Sequence, residues 1–126
     1  MKYLLDADCC IYVMSGSLSP LRHRLAQQEP ASVGISAITL GEVMLGSVHG
    51  KPPPIARLET FLEVIPLMVF DAPAARAYAS LPFRRARFDR LVAAHAISLG
   101  AAIVTNNTAD FADVPGLRVE NWTLPL

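Results

Sequence analysis

Four acidic side chains, Asp6, Glu42, Asp89 and Asp110, stand far apart along the chain, at positions where they could act together on a phosphodiester. Asp6 directly follows the apolar run Tyr3-Leu4-Leu5, and Glu42 lies on the segment after Val33-Gly34-Ile35. Asp89 opens the most apolar helical stretch, and Asp110 follows Val104-Thr105-Asn106-Asn107. In open parallel sheets, ligands collect beyond the carboxyl ends of the strands, and these are strand-end positions. Carboxylates crowded at one edge repel one another, which raises their pKa values and costs stability. A hard divalent cation is the simplest compensation, and Mg²⁺, with Mn²⁺ as a substitute, takes oxygen ligands of this kind. Such a cation suits hydrolysis of a phosphodiester, because it activates water and stabilises charge on the attacking and leaving oxygens. Asp6 and Asp89 are the expected metal ligands, with Glu42 and Asp110 completing the catalytic pocket.

Each acid also has a plainer reading. Asp6 could only cap the end of a strand, and Asp89 could only favour the positive end of a helix dipole. Glu42 could face solvent, but its neighbours Leu40, Val43, Met44 and Leu45 are apolar, which argues against a solvated face. Asp8 is an expected helix N-cap that could also join the pocket. Thr105 and Asn107 are candidates to bond a carboxylate, a water or a phosphate. Arg84, Arg85, Arg87 and Arg90 place four guanidinium groups just around Asp89, and are read as contacts to nucleic-acid phosphates. His95 lies about 240° around a helix from Asp89, so packing suits it better than proton transfer at that acid. Trp122 is read as a packing anchor.

The elements that must position these groups follow from apolar periodicity. Strands are expected at 2–5, 33–35, 67–70, 101–104 and 117–120. Helices are expected from Cys9, over 19–28, 36–47 and 55–65, from Asp71 to Ala79, and over 88–99. Gly100 is a natural residue to end the last of these. A short helical turn is expected over 108–111. Helices and apolar strands alternate, which predicts a parallel sheet covered on both faces.

The chain has 126 residues, which fits a single domain over 1–126, and 52% of them are apolar, enough for a large core. No apolar run approaches the length of a membrane span, and the first residues do not read as a signal peptide. Cys9 and Cys10 are adjacent with no third cysteine to pair with, which reads as a reducing, cytoplasmic setting. The three histidines are scattered without zinc-ligand spacing. Formal net charge is zero, so any basic surface for nucleic acid must be local.

Four segments, in order, resemble the PIN-domain toxins, specifically their VapC branch. Leu4-Leu5-Asp6-Ala7-Asp8-Cys9-Cys10-Ile11-Tyr12 is similar to the opening motif, and Ile35-Ser36-Ala37-Ile38-Thr39-Leu40-Gly41-Glu42 to the second. Phe88-Asp89-Arg90-Leu91-Val92-Ala93-Ala94-His95-Ala96 looks like the third, and Val104-Thr105-Asn106-Asn107-Thr108-Ala109-Asp110-Phe111 like the fourth. The resemblance implies a three-layer α/β/α fold with a mainly parallel sheet of four to five strands. It also implies a metal-dependent endoribonuclease, the toxin of a toxin–antitoxin pair, commonly a homodimer and neutralised by a VapB-like antitoxin. Ala7 stands where the family has Thr or Ser, Asp8 replaces an Asn or Ser, and either Asn107 or Asp110 fits the fourth acidic position. A catalytically decayed module that binds antitoxin or RNA without cleaving is the alternative. A nucleotide-binding domain would want glycines after the first strand, where none stand.

Overall fold

A computed structural model describes residues 1–16, 19–82 and 88–125. Five strands, β1 (Tyr3–Leu5), β2 (Val33–Ser36), β3 (Leu67–Met68), β4 (Ala102–Val104) and β5 (Val119–Glu120), form one sheet in the order β3-β2-β1-β4-β5. Every pairing is parallel, with Tyr3 opposite Val33 on one side and Ala102 on the other. The helices are α1 (Ala7–Ser15), α2 (Ser19–Ala26), α3 (Ala37–Val48), α4 (Ile55–Val64), α5 (Ala72–Ser80) and α6 (Phe88–Leu99), with a 3₁₀ turn at Thr108–Phe111. This is the expected three-layer arrangement, with all five strands present.

The alternation of side chains along a strand builds the layers. On β1, Leu4 and Leu5 are both fully buried but enter different cores. Leu5 packs with Cys9, Met14, Ile35, Leu58 and Trp122, while Leu4 packs with Val92, Ala96, Ile103 and Phe111. On β4, Ile103 and Val104 divide in the same way. Trp122 is the anchor expected: it is wholly buried, stacks edge-on to Tyr3 at 4.8 Å and donates from Nε1 to Glu120 Oε1 at 3.0 Å.

Two glycines are required by geometry. Gly100 ends α6 at φ +67°, the left-handed conformation that glycine tolerates best. At Gly34 a Cβ would come within 2.8 Å of the Pro66 carbonyl oxygen, so only glycine lets β2 pass this close to the approach to β3.

Some boundaries differ from expectation. The cap of α1 is Asp6, not Asp8: Asp6 has extended backbone angles, and its Oδ1 accepts from the Cys9 amide at 2.8 Å. Asp8 lies in the first turn. β3 stops at Met68 rather than Phe70, and β5 starts at Val119 rather than Leu117. Both are edge strands, paired on one side only, and β3 stops opposite Ser36, where β2 ends. Cys9 and Cys10 are free and buried. No described helix is long and apolar enough to cross a membrane.

Candidate active site

The strand order fixes where a ligand can enter. From β1 the chain builds outward through β2 and β3, then crosses back to lay β4 and β5 on the other side. The crevice at that reversal opens between the carboxyl ends of β1 and β4. Asp6 follows β1 and Thr105 follows β4, and the two are joined across the crevice: Thr105 Oγ1 donates a hydrogen bond to Asp6 Oδ2. The Asp6 amide in turn donates to the Val104 carbonyl at 3.0 Å.

α3 leaves β2 directly and carries Glu42 in its second turn. α6 precedes β4 and returns against it, so its first residues, Asp89 among them, start at the same edge. The 3₁₀ turn after β4 brings Asp110. The result is a pocket of about 150 Å³ lined by Asp6, Asp8, Glu42, Asp89 and Asp110, with Asn107, Thr39 and the apolar Val92 and Phe111 beside them. The described residues that line it include no basic group.

The electrostatics show how close the acids are. Burial pushes the Glu42 carboxyl up to about 7, and the negative charges of Asp89, Asp6 and Asp8 push in the same direction. Burial also raises Asp6, against the hydrogen bonds from Thr105 and the Cys9 amide, which favour its ionised form. Asp6 is therefore locked in orientation by groups that prefer it charged, in a place that penalises charge. The Cys9 and Cys10 thiols beside it are driven far above their usual range, chiefly by burial and then by Asp6, so neither is a nucleophile.

An oxygen-only, carboxylate-rich donor set suits a hard divalent cation. Among the described residues no three His, Cys, Asp or Glu side chains surround one point ready-made.

All four acids expected at the site line this one pocket, and Asp8 and Asn107 join them. Asn107 Nδ2 donates to Asp8 Oδ2 at 3.2 Å, and the Asn107 amide donates to Thr105 Oγ1 at 2.9 Å, so Thr105 links both sides of the crevice. Asn107 and Asp110 both reach the pocket. Arg90 is a correction. Its side chain is only 8% exposed, Nη2 donates to the Pro82 carbonyl at 2.9 Å, and Nη1 lies 3.6 Å from Asp113. It fastens the start of α6 and is not available to a phosphate. Arg84, Arg85 and Arg87 lie outside the described residues.

The reason given for Glu42 also needs revision. Of its apolar neighbours Val43 is buried, but Met44 and Leu45 are exposed. Glu42 faces the pocket, and the apolar residues beside it do not hold it there by burial. The polar lining residue that carried no expectation is Thr39. Its signal was its spacing, one turn before Glu42 on the same helix.

Known proteins share this chain's sequence pattern and fold. Residues 3–117 match the PIN domain family model. The tRNA(fMet)-specific endonuclease VapC of Shigella flexneri is 33% identical to the chain, over 98% of it and 99% of the relative. The structure of VapBC2 from Rickettsia felis, bound to a promoter DNA fragment, superposes with a TM-score of 0.83 at 28% identity, covering 97% of this chain and 99% of that one. DNA-bound VapBC from Salmonella typhimurium superposes at 0.82, also at 28% identity, covering 97% and 98%.

Proposed function

The chain belongs to the PIN domain family, in its VapC branch, and we propose that it is a Mg²⁺-dependent endoribonuclease, the toxin of a toxin–antitoxin pair. The observation that carries the reading is the convergence of Asp6, Glu42, Asp89 and Asp110, from four separate segments, on one pocket at the switch point of a parallel sheet. Relatives that align over nearly their whole length are named as endonucleases acting on tRNA or as ribonucleases, which makes tRNA the first RNA to test.

Asp6 and Asp89 would hold the cation. Bound there, it supplies Lewis-acid stabilisation of the phosphodiester and lowers the pKa of water. Thr105 Oγ1 and the Cys9 amide fix the two oxygens of Asp6 before anything binds, so no reorientation is needed on loading. Glu42 and Asp110 orient the water that attacks phosphorus, and the bond to the leaving sugar oxygen breaks opposite it. Arg84, Arg85 and Arg87 are the proposed phosphate contacts that hold the RNA across the pocket mouth. The pocket itself is too small for a nucleotide, since sites for drug-sized molecules run to roughly 300–1,000 Å³.

Solved relatives are toxin–antitoxin assemblies, and we assign this chain a VapB-like antitoxin and a homodimeric state. A reducing cytoplasmic setting accords with two buried free thiols. The test is Asp6→Asn, which keeps a side-chain oxygen for the α1 cap. Purified free of antitoxin, it should keep the wild-type fold by circular dichroism and lose tRNA cleavage. Full cleavage by that variant, with a mock purification showing no contaminating nuclease, refutes the proposal.

A further inference from the structure

Thr39 is the third residue of α3, one turn before Glu42. It is 0% exposed, it lines the acidic pocket, and its Oγ1 is a buried side-chain atom without a hydrogen-bond partner among the described residues. A helical threonine ordinarily bonds back to a carbonyl of the preceding turn or faces solvent. Thr39 does neither. A buried hydroxyl left unpaired carries its full desolvation penalty, and valine, of the same shape, would avoid it. Thr39 lines the acidic pocket, so the partner to look for is one that enters that pocket.

The pocket chemistry selects the partner. The surrounding side-chain oxygens belong to carboxylates and to the Asn107 amide. A cation held by Asp6 and Asp89 retains waters, and a bound water turns its oxygen to the ion and its protons outward. Those protons need acceptors, and a threonine oxygen is one. Thr39 lines the same pocket as Asp6, Glu42 and Asp89, the carboxylates that would surround such a water. We propose that Thr39 is a further metal-holding residue of this site, accepting a hydrogen bond through Oγ1 from a water in the cation's coordination sphere. The inference rests on the divalent-cation reading above.

The experiment uses the full chain, metal-free, with Mn²⁺ as the probe in calorimetry and with thermal melts run without metal. Thr39→Val keeps the shape and removes the hydroxyl, whereas Thr39→Ser keeps the hydroxyl and removes the methyl. Thr39→Val should bind Mn²⁺ about tenfold more weakly, the size of one hydrogen bond, while its metal-free melting temperature equals or exceeds the wild type's. Thr39→Ser should bind Mn²⁺ within about twofold of wild type, even where its melting temperature falls. Wild-type Mn²⁺ affinity in Thr39→Val overturns the inference and leaves the cation reading standing. A metal-free melting temperature lowered in Thr39→Val and restored in Thr39→Ser also overturns it, by showing a structural hydroxyl. No Mn²⁺ binding by the wild type overturns both.

Discussion

Ser36 and Thr39 are buried hydroxyl residues three positions apart, both 0% exposed, and they sit in opposite environments. Ser36 belongs to a satisfied node. Its Oγ accepts from the Ile38 amide at 3.1 Å, capping α3, and lies 2.8 Å from His95 Nδ1. The Val69 backbone also hydrogen-bonds His95, and Phe70 packs edge-on to the ring at 5.4 Å. Burial lowers the His95 pKa, with Asp71 and Val69 opposing, so the fold favours the neutral ring. Around Thr39, by contrast, the pocket sets carboxylates against one another and leaves a hydroxyl unpaired. A buried polar cluster that completes its own bonds is scaffold. One that does not is built around something that arrives later.

Substitutions should separate the two clusters. The largest effect expected is on chemistry: Asp89→Asn should cut RNA cleavage by roughly a thousandfold, the several kcal/mol a metal contributes, with folding unimpaired. Cleavage within about tenfold of wild type would remove Asp89 from the ligand set. Next comes stability at the satisfied node. His95→Ala strips the Ser36 hydroxyl of its His95 bond, leaving it only the Ile38 amide, and opens a cavity; it should cost about 2–4 kcal/mol in urea unfolding. Cleavage by the folded fraction should persist, and a selective loss of cleavage would join the two clusters into one.

The smallest effect is one of sign. Glu42 has its folded pKa raised from 4.5 to about 7, so its neutral form is favoured in the fold. The metal-free protein therefore has this contribution in full below about pH 4.5 and loses it as pH rises through about 7. Glu42→Gln removes that dependence, so its metal-free melting temperature should exceed the wild type's by a few degrees near pH 8, the gap closing towards pH 4.5. His95 has the reverse sign. Its folded pKa lies below 6.5, so its contribution is present above pH 6.5 and falls away as acid protonates the ring. The penalty of His95→Gln should accordingly be greatest above pH 6.5 and shrink below it, measured by the same melts. Parallel pH profiles for the two variants would contradict the contrast.

Much of this was legible in the sequence. Asp6 follows a buried apolar run, and the uniform apolarity around Val92 to Ile97 announced a helix covered on more than one side, so the edge on which Asp6 and Asp89 meet could be inferred from element order. The position of the α1 cap was not legible, because Asp6 and Asp8 have the same chemistry and only the end of β1 decides between them. The role of Arg90 depends on Pro82 and Asp113, contacts made only after α6 docks. Thr39 was hidden for a similar reason: an unpaired hydroxyl is a property of packing, and threonine in a helix is ordinary until its burial is known.

The central claim is that the pocket acids tolerate shared ionisation because a divalent ion joins them. Thermal melting of the antitoxin-free protein near pH 8, with and without saturating Mg²⁺, tests it directly. The account predicts a higher melting temperature with Mg²⁺, since ligand at a hundred times its Kd stabilises by about 2.7 kcal/mol, and no such rise in Asp6→Asn/Asp89→Asn. A wild-type melting temperature indifferent to both Mg²⁺ and Mn²⁺ would contradict it.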